Sequence, residues 1–184
     1  MSVRAFIALE LAPSLYESLN TQLSEWKQSY PDGINWVRPE NLHLTVLFLG
    51  DVEEVIIPEL RDALKLQCRN IRPFMLGMNG FELFPPKQIR MIWAQLRAET
   101  SELAKFNRRL LFETINLGLN PDPKELRLHI TMGRIKTPQS SAMQRSILET
   151  SLHTDLLPFD TLSLYKSVLQ PQGPQYTLLE QIKL

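Results

Sequence analysis

One short pattern occurs twice in this chain, each time inside an apolar run that has the character of a β-strand. The first copy is HLT at residues 43–45, and the second is HIT at residues 129–131. Two of the three histidines of the chain belong to these copies. Residues i and i+2 of a strand point to the same face, so each copy predicts a polar face with His and Thr and an opposite apolar face.

The two copies recur at a constant distance within a repeated order of elements. His43 and His129 are separated by 129 − 43 = 86 residues, and the two threonines by the same number. Two Pro-Phe pairs, at 73–74 and 158–159, are 85 residues apart. The order strand, helix, HxT strand, helix, Pro-Phe strand is therefore predicted twice.

We interpret this order as an internal duplication and expect pseudo-symmetric lobes. The predicted arrangement is a single two-lobed domain over residues 1–184, with sequence halves at about 1–86 and 87–184. Amphipathic spacing predicts helices in four places, and alternating or short apolar runs predict strands between them. The helices are expected over 15–26, 53–66, 103–117 and 139–152, and the strands over 3–11, 42–50, 73–84, 89–96, 128–135, 158–168 and 176–184.

Composition limits the cellular setting and the partners. A chain of 184 residues with 43% hydrophobic residues can bury one substantial core. Twenty basic residues balance twenty acidic ones, so extended wrapping of nucleic acid is disfavoured, whereas binding of an RNA end or a nucleotide in a small cleft is not. Cys68 is the single cysteine, and Glu10 interrupts the apolar start. We therefore expect a cytoplasmic protein without a signal peptide or membrane span.

The two predicted polar faces together supply two imidazoles and two hydroxyls, which suits phosphoryl chemistry. A neutral histidine takes a proton from the attacking group while a protonated one gives a proton to the leaving oxygen. Threonine hydroxyls donate to phosphate oxygens, and Arg134 would add a charged fork. Because Arg134 follows Thr131 by three positions, it points away from that face in a regular strand. A bulge at Gly133 or a bend is needed to turn it inward.

Other uses of these residues are weaker. A lone histidine in an apolar strand is more often a satisfied core residue, but two at duplicated positions favour a site. Two histidines with threonines and no neighbouring cysteine make a poor tetrahedral zinc set, so we expect no metal. The GxSxG pattern of serine hydrolases does not occur.

The motifs carry a resemblance to a known family. HLTVLFLG and HITMGR resemble the two signatures of the two-histidine phosphoesterase superfamily. The stretches RAFIALEL and WVRPENLHLT are similar to the RNA 2′,3′-cyclic phosphodiesterases, also called bacterial 2′-5′ RNA ligases or LigT-like proteins. This resemblance implies an α+β, bilobal fold in which two antiparallel sheets face a central cleft, with helices packed on the outside.

The resemblance also implies an activity and a role for each motif residue. The expected reaction is hydrolysis of a terminal 2′,3′-cyclic phosphate of RNA to a 2′-phosphomonoester, with reversible 2′-5′ ligation as a second reaction. His43 corresponds to the proton donor and His129 to the proton acceptor. Thr45, Thr131 and Arg134 correspond to the phosphate-binding residues. No metal or nucleotide cofactor is implied, and the expected partner is an RNA with a cyclic phosphate end, tRNA fragments included.

This chain departs from the family pattern at two places, where Leu128 and Gly133 stand for the usual proline and alanine. Four further side chains are candidates for substrate contact by stacking or charge, with packing or a solvated loop as the simpler interpretation. They are Trp36, Arg38, Phe48 and Tyr176. We expect a monomer. Two alternatives stay open: a cyclic phosphodiesterase of small nucleotides or 2′-5′ oligonucleotides, and a non-catalytic module that binds RNA ends.

Overall fold

A computed structural model describes residues 1–170 and 173–184 of the protein. Within these residues, nine strands form one antiparallel sheet that is accompanied by four helices, none of them long and apolar enough to cross a membrane. The strands are β1 (Ser2–Leu9), β2 (Ile34–Trp36), β3 (Leu44–Glu53), β4 (Phe74–Phe84), β5 (Met91–Ala98), β6 (His129–Ile135), β7 (Leu157–Phe159), β8 (Thr161–Val168) and β9 (Gln175–Lys183). The helices are α1 (Pro13–Ser29), α2 (Ile57–Cys68), α3 (Glu102–Asn116) and α4 (Ser141–Glu149).

All four predicted helices are present, and their ends follow local chemistry. Helix α1 buries the apolar residues that recur at helical spacing, and Pro13 occupies its first turn, where no N–H donor is needed. Helix α2 begins later than predicted, since a separate 3₁₀ turn occupies residues 54–56. Helix α4 begins after Ser140, whose hydroxyl accepts a hydrogen bond from the backbone N–H of Met143 at 3.2 Å.

The sheet consists of two half-sheets that meet at the HxT strands. Its order is β7-β4-β5-β6-β3-β1-β8-β9, and β2 pairs with β6 beside this path. Strands β6 and β3 share one register pair, Leu44 with Ile130. The predicted antiparallel α+β architecture is confirmed, and its two sheets are continuous with each other through this single pair.

Each half-sheet includes two strands from the other half of the sequence, β8 and β9 in one and β2 and β4 in the other. Strand β1 pairs with β3 on one side and with the distant β8 on the other. Strand β5 likewise pairs with β6 and with β4, which comes from the first half of the chain. The lobes of the structure are therefore not the sequence halves, because their strands are exchanged.

The strand predicted over 158–168 is divided in two. Residues Leu157–Phe159 form β7 and pair with β4, whereas Thr161–Val168 form β8 and pair with β1. The division falls at Asp160, where the chain passes from one half-sheet to the other. The predicted turn at 170–175 includes residues 171 and 172, which lie outside the described residues.

The HxT strands have the two faces that the sequence predicts. Leu44 and Val46 of β3 are buried, as are Ile130 and Met132 of β6, and they belong to one hydrophobic core. The histidines and threonines between them are only half-buried. The core therefore fixes the strand orientation that turns both His-Thr pairs to the opposite side.

Candidate active site

A cleft of about 620 Å³ lies against the polar faces of the two HxT strands. All nine side chains that the sequence singles out line this cleft. They are His43, Thr45, His129, Thr131, Arg134, Trp36, Arg38, Phe48 and Tyr176. The structure thus brings together residues from both halves of the chain around one space.

His43 immediately precedes β3 and is held at both ring nitrogens. Its Nδ1 lies 2.7 Å from the carbonyl oxygen of Asn41, and its Nε2 lies 3.0 Å from Oγ1 of Thr45. A carbonyl oxygen only accepts hydrogen bonds, so Nδ1 carries a proton. Nε2 is therefore the nitrogen of His43 that can exchange a proton.

His129 begins β6 and repeats half of this arrangement. Its Nδ1 lies 3.0 Å from the carbonyl oxygen of Arg127, two residues earlier, as Asn41 is for His43. By the same argument, Nδ1 carries a proton and Nε2 is available for proton exchange. Among the described residues, Nε2 of His129 makes no hydrogen bond to Thr131. It therefore has fewer hydrogen-bond partners than Nε2 of His43, which contacts Thr45.

Arg134 reaches the cleft through a β-bulge. In the pairing of β5 with β6, Trp93 is opposite Thr131 and Ile92 is opposite Gly133, which leaves Met132 as an extra residue. The bulge that the sequence requires is therefore present, one residue before the predicted position. Arg134 is then opposite Met91, on the same face as Thr131, and its guanidinium lies 3.8 Å from the Met91 sulfur.

Gly133 allows β2 to approach the second motif. A Cβ atom at this position would lie 3.0 Å from side-chain carbons of both Ile34 and Trp36. These contacts are tighter than ordinary van der Waals separations, so even alanine would displace one of these side chains. The departure from the family pattern at this position thus has a packing reason.

The four further candidates differ in how available their side chains are for contact with a substrate. Trp36 donates from its indole nitrogen to the carbonyl oxygen of Tyr30 at 2.8 Å, so much of the side chain is structural. Arg38 lines the cleft and is exposed to solvent. The ring of Phe48 is 54% exposed. The ring of Tyr176 lies with its edge to His43, at 5.4 Å between centroids.

Sequence reasoning missed the aromatic rings that support the two histidines. The ring of His43 lies 4.9 Å from that of Phe6, and the ring of His129 lies 3.9 Å from that of Trp93. Phe6 and Trp93 occur in the first strand of their halves, 93 − 6 = 87 residues apart. This near-repeat of the histidine spacing is the signal that would have found them.

Burial and charge act differently on the two histidines. Burial lowers the pKa of His43, while its bond to the Asn41 carbonyl and the charge of Glu10 oppose that shift. Burial also lowers the pKa of His129; its bond to the Arg127 carbonyl opposes that shift, and the charges of Arg127, His43 and Arg134 add to it. Both imidazoles are thus more easily deprotonated than usual, and His43 has a carboxylate that counteracts this.

The cleft is more positive than the protein as a whole. Four cationic and two anionic side chains line it, giving 4 − 2 = +2, whereas the whole chain has no net charge. They are Arg38, Lys124, Arg127, Arg134, Asp122 and Glu125. Such a surplus attracts an anionic substrate. In the described residues, no group of three or more His, Cys, Asp or Glu side chains is placed to hold a metal ion.

Comparisons with known proteins agree with this geometry. The sequence profile described as LigT like Phosphoesterase matches residues 14–93. The RNA 2′,3′-cyclic phosphodiesterase of Methanothermobacter thermautotrophicus is 30% identical over 188 residues, covering 100% of each chain. The protein of the same name from Thermotoga maritima is 31% identical, covering 96% of this chain and 93% of its own.

The fold is shared with a solved structure. The crystal structure of TT0787 of Thermus thermophilus superposes with a TM-score of 0.82 at 26% identity, covering 98% of this chain and 97% of the other. Full-length similarity in sequence and in fold therefore accompanies the paired HxT motifs. The chain belongs to the LigT-like family of two-histidine phosphoesterases.

Proposed function

We propose that this protein hydrolyses the terminal 2′,3′-cyclic phosphate of RNA to a 2′-phosphomonoester, by acid–base catalysis at His43 and His129 without a metal ion. One observation carries the proposal. Two HxT motifs from distant parts of the chain line one cleft, and in each the histidine Nδ1 is held by a backbone carbonyl. Relatives that align over the full chain are named RNA 2′,3′-cyclic phosphodiesterase.

The charges around the histidines support one assignment of roles. His129 is affected by three cationic side chains, which favours its neutral form and the role of general base. His43 is affected by the carboxylate of Glu10, which favours the charged form and the role of general acid. The family resemblance implies the same assignment.

The reaction then proceeds by in-line attack. Nε2 of His129 takes a proton from a water molecule as the water oxygen forms a bond to phosphorus. The bond between phosphorus and the 3′-oxygen breaks, and Nε2–H of His43 gives its proton to that oxygen. The products are a 2′-phosphate and a free 3′-hydroxyl, and the histidines exchange protons with solvent to return to their starting states.

Three side chains are assigned to the phosphate. The hydroxyls of Thr45 and Thr131 donate to its non-bridging oxygens, where negative charge is concentrated. Arg134 adds a charged fork to the same oxygens, which the bulge at Met132 makes geometrically accessible. The threonine hydroxyl beside His43 also keeps Nε2 directed into the cleft.

Ligation follows from the same chemistry. If the 5′-hydroxyl of a second RNA replaces water, attack on the cyclic phosphorus yields a 2′-5′ phosphodiester and the same 3′-hydroxyl. Nothing in the arrangement of the acid and the base has to change. We therefore include reversible 2′-5′ ligation in the proposal, with RNA ends, tRNA fragments among them, as partners of a cytoplasmic monomer.

Two other functions make different demands on the cleft. A small cyclic nucleotide or a 2′-5′ oligonucleotide would need the same acid and base but fewer contacts beyond the phosphate. A non-catalytic module for RNA ends would need no proton exchange at Nε2. The preserved pair of histidines favours turnover over binding alone.

The decisive experiment uses a short RNA that ends in a 2′,3′-cyclic phosphate, with EDTA present. The wild-type protein should release a 2′-phosphate, and His43→Ala and His129→Ala should not. His153→Ala is the matched control, because His153 does not line the cleft. Bound but uncleaved RNA would favour the binding module. Turnover of small cyclic nucleotides alone would favour the other enzyme.

A further inference from the structure

The ring of His43 begins a row of aromatic contacts that ends in a carboxylate. Phe6 lies 4.9 Å from His43 on one side and 5.4 Å from Tyr165 on the other, between ring centroids. The hydroxyl of Tyr165 donates to Oε1 of Glu10 at 2.7 Å. Burial and the neighbouring Glu10 raise the pKa of Tyr165, so the tyrosine keeps its proton and the negative charge stays on Glu10.

The ring of His129 begins a second row, which has a cation beside it. Trp93 is stacked between His129 and Phe84, at 3.9 Å from each ring. The guanidinium carbon of Arg127 lies 4.8 Å from the Phe84 centroid and 6.0 Å from that of Trp93. The buried indole N–H of Trp93 has no hydrogen-bond partner in the described part of the chain, so the ring is held by its faces.

We propose that Glu10 and Arg127 are positioning residues that fix the direction of proton transfer, Glu10 by favouring the proton on His43 and Arg127 by favouring neutral His129. This inference rests on the proposed function for its meaning, because it says which histidine acts as acid and which as base. The two motifs share the same Nδ1 contact. The opposite charges beside the two rows add to the differences at Nε2 and at Arg134.

The aromatic rows influence how strongly Glu10 and Arg127 act on the protonation of the two histidines. Phe6 and Tyr165 connect His43 to Glu10 by ring contacts, and the guanidinium of Arg127 lies beside the Trp93–Phe84 stack that covers His129. Apolar rings in these places lower the local polarity through which each charge acts. Phe6 and Trp93 are both almost completely buried. Glu10 is partly accessible to solvent and Arg127 is exposed, so salt will weaken the influence of each charge, and that of Arg127 more strongly.

The other charged and titratable groups near the histidines come from β6, from β9 and from loops that line the cleft. Tyr176 from β9 and His129 from β6 face His43, and Arg134 faces His129 from its own strand. Arg38, Asp122, Lys124 and Glu125 also line the cleft. Of the charges that act on His43, Glu10 is the one that favours its protonated form, and that of Arg127 comes first among those that disfavour protonation of His129.

The first test is titration of the three histidines by NMR in the free protein. Glu10→Gln keeps an acceptor for Tyr165 and removes the charge, so the pKa of His43 should fall while that of His129 changes little. Arg127→Gln should raise the pKa of His129 and leave His43 nearly unchanged. His153 is the internal reference, and its titration should be the same in all proteins.

The second test is the pH dependence of kcat/KM for the cyclic phosphate RNA. In Glu10→Gln the alkaline limb should move to lower pH, because the acid loses its proton sooner. In Arg127→Gln the acidic limb should move to higher pH, because the base is protonated sooner. One partly screened charge at several ångströms should change the rate by about three- to tenfold on the affected limb. Added salt should reduce both effects.

Several results would overturn the inference. An unchanged pKa of His43 in Glu10→Gln would do so, as would equal shifts of both histidines in either variant. A rise in KM without any movement of the pH limbs in Arg127→Gln would make that arginine a substrate-binding residue instead. An inactive wild-type protein would contradict the proposed function, whereas the titrations would still decide whether the two charges set the protonation of the histidines.

Discussion

The two HxT strands share a backbone irregularity and differ in the side chain that it presents. A bulge follows the threonine in each, at Val46 in β3 and at Met132 in β6, 132 − 46 = 86 residues apart. Two residues further on, the first strand places Phe48 in the cleft and the second places Arg134. The shared frame places two histidines at the cleft, and this one divergent position distinguishes a charged side of the cleft from an apolar side.

Under the proposed function, we expect this difference to give the substrate one preferred orientation. A phosphate is attracted to the guanidinium on the β6 side, while the exposed ring on the β3 side offers a surface to a base. The duplication that would explain the shared frame stays a prediction. Two register pairs, Leu44 with Ile130 and Phe74 with Phe159, join positions 86 and 85 residues apart, as a twofold axis between the lobes would require.

The largest expected effect tests what the two strands share. Replacing either histidine by alanine should lower kcat by roughly a hundred- to ten-thousandfold, the usual contribution of one general acid or base. Because each supplies one proton transfer, the two losses should be of similar size. Single-turnover rates measure them directly, and near-normal turnover of His43→Ala would disprove its role as acid.

The next effect tests where the strands diverge. Arg134→Ala should lower kcat/KM by about ten- to a hundredfold, since a charged hydrogen bond to phosphate contributes about 1.5–3 kcal/mol. Phe48→Ala should raise KM only a few-fold and leave kcat nearly unchanged. Steady-state kinetics of both variants separate the two sides. Equal losses from the two substitutions would mean that the cleft does not distinguish its sides in this way.

The pH dependence tests the electrostatic difference between the two histidines. A bell-shaped profile is expected, with activity rising as His129 loses its proton and falling as His43 loses its own. Burial lowers the pKa of both, so the optimum of the free enzyme should lie on the acidic side of neutrality. Beyond each limb, kcat/KM should change about tenfold per pH unit. A profile that stays flat through this range, with chemistry rate-limiting, would contradict the mechanism.

The smallest expected effect is on stability, and it concerns the hydrogen bonds to the carbonyl oxygens of the two bulge residues. The buried side-chain amide of Asn107 in α3 donates to the carbonyl oxygen of Val46 at 2.7 Å. The corresponding carbonyl of Met132 accepts from the backbone N–H of Val37 at 2.9 Å. Asn107→Ala should therefore destabilise the protein by about 1–3 kcal/mol, the cost of an unpaired buried carbonyl.

Denaturant unfolding measures this cost. Asn20→Ala, on the partly exposed surface of α1, is the matched control and should change stability far less. Since no side-chain truncation removes the backbone donor at Val37, the first bulge is the one that such a mutation can loosen. Normal stability of Asn107→Ala would mean that the carbonyl finds another donor.

The elements of the fold and the motif residues were predictable because they depend on local patterns. Leu15 to Trp26 at helical spacing, and His43 between buried leucines, can be recognised without knowing any distant contact. The pairing of β1 with β8 could not be predicted, since periodicity says nothing about which remote strands are neighbours. The division of a continuous apolar run at Asp160 follows from that pairing and was missed for the same reason.

Within the candidate site, the missed residues act through space instead of through the motif. The sequence pattern identifies Trp93 only as part of an ordinary strand, although its ring supports His129. Arg127 carries no signal of its own, because its place in the site depends on the two rings that its guanidinium lies beside. Strand geometry predicts the need for a bulge before Arg134. Its location at Met132 depends on the register with β5, which only the structure reveals.

The exchange of strands between the lobes has a consequence for how the protein folds and evolves. A fragment that ends near residue 86 would contain β1 and β3 but lack β8, so its half-sheet would be left with an open edge. Neither half can be expected to fold alone, and unfolding should be a single cooperative transition. If the predicted duplication is correct, a half-length ancestor would have needed a second copy of itself to complete its sheet, and fusion of the two copies would have joined a swapped dimer into one chain.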